Sequence, residues 1–226
     1  MQLDEVLEIL EKEGNPDDVK GMARFGINPD KAYGIRVPVL RKIAKTIGKD
    51  HELAIELWNY GYHDTKLLAT MIDDPTKVTS EQINKWAYSF ETWDQCDQAC
   101  SNLFRKTRYA YPKIHEFYDK EEEFVKRTAY SLIATLAVHD KKACDDVFIN
   151  LFPIIISGSS DERNFVKKAV KWSLRQIGKR NKILNQKSIL LAEEILKLDT
   201  ISGNWIAHDA LRELKSEKVQ KKFKDK

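Results

Sequence analysis

The amino-acid sequence predicts an all-α fold built from helical repeats, and three observations support this prediction. Glycine and proline are scarce, at nine and six among 226 residues, and no segment alternates β-branched residues between turn signals, as a strand would. Amphipathic stretches of helical length are separated by short turn-like segments. Two of these stretches also resemble each other in sequence at a fixed offset.

The predicted helices are divided by four turn-like segments. These segments are GINPDKAYG at 26–34, DDPT at 73–76, YP at 111–112 and SGSSDE at 157–162. The hydrophobic content of 42% is sufficient for one sizeable core. We therefore expect a single domain that spans residues 1–226.

The internal similarity joins FVKRTAYSLI, which begins at Phe124, and FVKKAVKWSL, which begins at Phe165. Their offset of 41 residues falls in the range of roughly 40–47 residues that is typical of HEAT-type repeats. This predicts an α-α superhelix, a curved solenoid with a basic concave face on which function is expected. The alternative is that two amphipathic helices coincide by chance.

The cysteine count and the first residues indicate the class of protein. Cys96, Cys100 and Cys144 make an odd number, which does not suggest a disulfide framework. With His139 they form the only arguable zinc set, but buried thiols one helical turn apart usually just pack. The start MQLDEVLEIL is acidic where a signal peptide would be basic, and no apolar run reaches 18 residues. We expect a cytoplasmic protein without metal or cofactor.

A basic helix is predicted over residues 161–181, although the net charge of the chain is only +3. Basic residues occur there at every fourth position, at Arg163, Lys167, Lys171, Arg175 and Lys179. Lys168, Arg180 and Lys182 add to this basic stripe. After Glu162 the stretch has no acidic residue within one helical turn of these basic residues. Their charges are therefore expected to be unpaired and to bind successive phosphates of a DNA backbone. The alternative is a solvated helix face.

A tryptophan and an aspartate form the second notable pattern. Thr92 and Gln95 have capping-box spacing and predict that a helix starts here. Trp93 and Asp97 are then four residues apart and share one face of its first turns, where an anion is stabilised. The alternative is an ordinary solvated acid beside a core tryptophan.

Together these segments resemble the AlkD-like family of DNA alkylation repair glycosylases. The similarity lies in MARFG at 22–26, TWDQCD at 92–97, FVKR at 124–127 and NFVKKAVKWSLRQ at 164–176, and it covers most of the chain in order. The resemblance implies a HEAT-like repeat protein that binds double-stranded DNA containing alkylated purines. Because a curved repeat needs no partner to complete its site, we expect a monomer, without a cofactor and associated with the nucleoid.

The resemblance also implies roles for individual residues. Asp97 would be the catalytic carboxylate, Trp93 its aromatic neighbour, and Trp172 a second tryptophan of the DNA cleft. Arg127 would bind a backbone phosphate beside the lesion. Phe25 stands where the family commonly has a cleft tyrosine, so the ring is kept and the hydroxyl is lost. Without the resemblance, the sequence favours a core position for Trp172 over an exposed one.

Further residues complete the predicted DNA surface. Lys168, Lys171 and Arg175 are expected to bind DNA through the basic helix. At Thr92 the family can have a further tryptophan, so this departure bears on substrate preference and rate rather than on the presence of the carboxylate.

The implied activity is hydrolysis of the N-glycosidic bond of cationic N3- or N7-alkylated purines in duplex DNA. Asp97 would stabilise the oxocarbenium-like sugar and orient water. Two alternatives stay open: a non-catalytic repeat protein that recognises distorted or branched DNA, and a protein-interaction scaffold.

Overall fold

A computed structural model describes residues 1–223, apart from the side chain of Phe25. Within these residues all regular structure is helical, with fifteen α-helices, three short 3-10 helices and no strand. The prediction of an all-α protein is confirmed. No helix of the described residues is long and apolar enough to cross a membrane.

The chain divides into two compact units, Met1–Tyr109 and Ala110–Lys226. The α-helices of the first unit are α1 (Leu3–Glu13), α2 (Pro16–Met22), α3 (Val37–Ile47), α4 (His51–Tyr60), α5 (His63–Ile72), α6 (Ser80–Tyr88) and α7 (Trp93–Asn102). Its 3-10 helices span Ala23–Phe25, Pro29–Lys31 and Phe104–Lys106. The expectation of one domain over the whole chain stays a prediction.

Side-chain caps begin several helices of the first unit. Asn15 accepts from the amides of the first turn of α2, and Asp50 and Thr79 do the same for α4 and α6. In the core, Trp58 of α4 stacks on Trp86 of α6 with ring centroids 3.9 Å apart. Such aromatic pairs contribute about 0.5–1.5 kcal/mol beyond the area they bury, so they help to hold the two helices together.

A buried carboxylate ties the segment before α3 to α5. Asp64 is fully buried and accepts the main-chain N–H groups of Tyr33, at 2.7 Å, and Ile35, at 2.8 Å. Gly34 lies between them with φ 77°. A Cβ there would meet the Asn15 carbonyl oxygen at 2.4 Å, so this close approach requires glycine.

The second unit contains eight α-helices in its described residues. They are α8 (Ala110–Phe117), α9 (Glu123–His139), α10 (Asp145–Ile149), α11 (Phe152–Gly158), α12 (Asn164–Gly178), α13 (Lys182–Leu196), α14 (Ile201–Leu214) and α15 (Glu217–Lys221). Three of the four predicted turns separate helices. The YP segment instead lies in the first turn of α8, because proline fits there without losing a helical hydrogen bond.

The sequence repeat places α9 and α12 side by side. The rings of Phe124 and Phe165 are 5.5 Å apart, and the amide of Phe165 donates to Glu123 Oε1 at 3.2 Å. A similar contact recurs at the next step, where the amide of Ser202 donates to Glu162 Oε1 at 3.0 Å. Residues about one repeat length apart therefore bind each other, which is the packing expected of stacked helical repeats.

Candidate functional site

The helix that bears the predicted catalytic residue begins where the sequence predicts, because α7 starts at Trp93 with Thr92 as its N-cap. The predicted capping box is wrong in detail. The Thr92 hydroxyl donates to Asp94 Oδ1 at 2.6 Å, and Gln95 Oε1 accepts the amide of Glu91 at 3.0 Å. A charged carboxylate is a stronger acceptor than a hydroxyl, so Asp94 Oδ1 accepts the hydrogen bonds at the start of the helix in place of the Thr92 hydroxyl.

Trp93 and Asp97 lie one turn apart on α7. The Trp93 side chain is 37% exposed, so it is not a core residue, and Asp97 is half-buried. This placement removes one part of the alternative interpretation, in which the acid stands beside a core tryptophan. The catalytic role of Asp97 stays a prediction.

Sequence reasoning missed a buried pair directly beside Trp93. His63 Nε2 of α5 lies 2.9 Å from Asp94 Oδ2, and Gln95 Nε2 approaches the other ring nitrogen at 3.5 Å. Burial favours a raised pKa for Asp94, but hydrogen bonds from His63 and Thr92 and the charge interaction with His63 outweigh it, so the net pKa is lowered. Asp94 is therefore ionised at neutral pH.

A cavity of about 420 Å³ opens beside this pair within the first unit. Its lining includes the indole of Trp93, the Asp94–His63 pair and, from the preceding segments, Met22, Ile27, Arg36 and Leu67. Its walls are mostly apolar with a few ionised groups, which is the usual composition of a small-molecule site. The cavity has the size and character to accept part of a ligand that contacts Trp93.

Arg127 is almost fully buried in the second unit, with 5% of the residue exposed. Its Nη1 donates to the main-chain carbonyl of Phe165 on the neighbouring repeat. The guanidinium thus joins α9 to α12. Its implied phosphate contact stays a prediction.

The basic helix forms as α12, but the expectation that its charges are unpaired is wrong. Lys171 Nζ lies 3.4 Å from Asp209 Oδ2, and Arg175 Nη1 lies 3.1 Å from the same oxygen. Arg175 and Lys179 also pair with Glu213. The acidic partners come from α14, more than thirty residues later, so a search within one turn of α12 could not find them.

The remaining predicted residues differ in exposure. Lys168 is exposed on α12, and Trp172 is half-buried, between the two possibilities that the sequence left open. Phe25 ends a 3-10 helix, and its side chain lies outside the described residues. Cys96 and Cys100 are buried in α7. No group of three or more His, Cys, Asp or Glu residues within 1–223 is arranged to hold a metal ion.

A family model described as DNA alkylation repair enzyme matches residues 6–220. The chain belongs to this DNA alkylation repair family. The resemblance found in the sequence is thereby confirmed at the level of the family.

Two proteins similar to this chain come from Listeria. The uncharacterized protein Lin0241 of Listeria innocua is 32% identical over 136 residues, which cover 58% of this chain and 59% of that protein. The uncharacterized protein Lmo0209 of Listeria monocytogenes is 36% identical over 110 residues, covering 46% of this chain and 47% of that protein. The matched regions span about half the length of these relatives.

A solved structure shares the fold of this DNA alkylation repair family member. It is described as a new family of proteins related to the HEAT-like repeat DNA glycosylases with affinity for branched DNA structures. The TM-score is 0.75 at 19% identity, over 86% of this chain and 83% of that one. The HEAT-like repeat fold is confirmed.

Proposed function

We propose that this protein is a DNA glycosylase that hydrolyses the N-glycosidic bond of N3- or N7-alkylated purines in duplex DNA. The observation that carries the proposal is the pair formed by Trp93 and Asp97, an exposed indole one helical turn from a half-buried carboxylate on α7. Membership of the DNA alkylation repair family supports it.

The chemistry needs little more than such a pair. A cationic alkylpurine is already a good leaving group, so no general acid has to protonate it. This differs from ordinary glycoside hydrolysis, in which two carboxyl groups divide the work. Asp97 stabilises the positive charge that develops on the sugar and orients the attacking water, which is electrostatic stabilisation of the transition state.

Aromatic and basic side chains bind the damaged strand. Trp93 offers its ring face to the cationic nucleotide, and a cation–π contact of this kind contributes roughly 0.5–2 kcal/mol. Trp172 of the second unit adds an aromatic contact to the DNA. The exposed Lys168 binds phosphate directly. Lys171 and Arg175 add to this attraction, but they share their charge with Asp209.

The test is release of alkylated purine from methylated duplex DNA. Asp97→Asn is expected to abolish release while leaving DNA affinity equal or tighter, since the change removes a negative charge near phosphate. Glu56→Gln, at an exposed acid of α4, is the matched control and is expected to keep wild-type activity. Full activity of Asp97→Asn would overturn the assignment of the carboxylate.

A second candidate is a DNA-binding repeat protein without excision activity. One observation favours it: the protein of similar fold is described as having affinity for branched DNA structures. Absence of base release by the wild type, with tight binding to a four-way junction, would establish this candidate over the glycosylase.

A further inference from the structure

An exposed face of α14 contains the one tryptophan of the second unit that the sequence analysis did not use. Ile201, Trp205, His208 and Arg212 recur at helical spacing and share this face. Ile201 is 80% exposed and Trp205 is 39% exposed. A contiguous exposed apolar patch that is rimmed by polar groups commonly marks an interaction site.

Two lysines of α12 lie over the Trp205 ring. Lys171 Nζ is 4.1 Å from the ring centroid and Lys167 Nζ is 5.7 Å from it. Both distances are within the range of cation–π attraction. The ammonium groups of Lys167 and Lys171 therefore contact the Trp205 indole, while part of the indole still faces solvent.

The charge around Trp205 is positive despite the ion pairs described above. Four cationic side chains of α12 and α14 pair with two carboxylates, Lys171, Arg175, Lys179 and Arg212 with Asp209 and Glu213, and Lys167 adds a fifth positive charge. Glu162 and Asp199 add two carboxylates at the start of α14, where they accept from Ser202 and Asn204, so one positive charge remains in surplus. A surface with surplus positive charge and an exposed aromatic ring is complementary to an anionic ligand that has flat apolar parts.

We propose that Trp205, Lys167 and Lys171 form a binding site for unpaired nucleotides of single-stranded DNA. A base stacks on the solvent-exposed part of the Trp205 indole, and the lysine ammonium groups bind the adjoining phosphates. Aromatic platforms within basic surfaces bind single strands in this way with little sequence preference. The site lies in the second unit and does not depend on base release at Asp97.

Binding of an oligothymidylate of about 12 nucleotides tests the site. Trp205→Ala is expected to weaken this binding roughly 5- to 150-fold, the range measured for loss of one stacked base. Trp205→Phe keeps an aromatic ring and is expected to retain most of the affinity. Leu190→Ala, at an exposed apolar position of α13, is the matched control and is expected to bind as the wild type does.

Two further measurements keep the result decisive. Affinity for blunt duplex DNA is expected to be the same for Trp205→Ala and wild type, so an equal loss for both ligands would overturn the proposal. Stacking on Trp205 is expected to quench intrinsic fluorescence on oligothymidylate binding, and Trp205→Phe is expected to lose this quenching. Unaltered quenching in Trp205→Phe would also overturn the proposal, as would a wild type that does not bind oligothymidylate. Either result would favour a protein partner for this face.

Discussion

The Asp94 carboxylate of α7 and the His63 imidazole of α5 form a buried pair with 2.9 Å between Oδ2 and Nε2. The His63 side chain is 5% exposed and that of Asp94 is 20% exposed. The pair fixes the first turn of α7 to the preceding repeat. Since Trp93 and Asp97 project from the same turns, the pair also determines where these two side chains stand.

Asp94→Ala is expected to lower the free energy of unfolding by about 1–3 kcal/mol, because it leaves a buried ring nitrogen of His63 without its partner. Urea denaturation at neutral pH measures this as a lower midpoint at an unchanged slope. Asp17→Ala is the matched control, since the Asp17 side chain is 87% exposed and the change is expected to cost little.

The same pair sets a pH dependence. The pKa of folded Asp94 lies below its ordinary value of 3.8, so its stabilising effect is complete above that value and is lost as pH falls through the folded pKa. The difference in stability between wild type and Asp94→Ala is therefore expected to shrink in acid, as pH falls through the folded pKa of Asp94. A difference that grows below about pH 4 would contradict this sign.

Local signals predict the helices well and the contacts between them poorly. Capping residues predict the start of α7, and the repeated sequence predicts that α12 resembles α9. Both signals lie within short segments of the chain. The Asp94–His63 pair joins residues 31 positions apart, and Arg175 meets Asp209 34 positions later. Such partners depend on how the helices stack, so spacing within one helix holds no information about them.

Arg127→Ala separates a structural role of the buried arginine from a role in DNA binding. Because the guanidinium donates to the Phe165 carbonyl, its loss is expected to lower the free energy of unfolding by about 1–3 kcal/mol. The dependence of DNA affinity on salt is expected to stay at its wild-type slope, since a buried group releases no counterions. Thermal unfolding and binding at several salt concentrations measure the two effects.

Lys168→Ala is the comparison for that experiment. Lys168 is exposed on α12, so its removal is expected to leave stability unchanged and to reduce the salt slope by about 0.9. A similar reduction for Arg127→Ala would show that Arg127 exchanges the Phe165 carbonyl for a phosphate when DNA binds, as the family resemblance implies.

Asp209→Asn tests whether the ion pairs of α14 limit binding by the basic helix. The Asp209 carboxylate contacts Lys171, Arg175 and Arg212, so its neutralisation frees positive charge on the surface. DNA affinity at low salt is expected to increase roughly threefold or more, with a steeper salt dependence. Fluorescence anisotropy with labelled duplex DNA measures both quantities.

Glu194→Gln removes one negative charge from an exposed position on α13 and is the control for net charge. It is expected to change affinity much less than Asp209→Asn, because screening weakens interactions beyond about 8–10 Å. Equal effects of the two changes would show that only total charge matters. Weaker binding by Asp209→Asn at wild-type stability would show instead that Asp209 orients Lys171 and Arg175 for phosphate, so that the ion pairs prepare the surface rather than limit it.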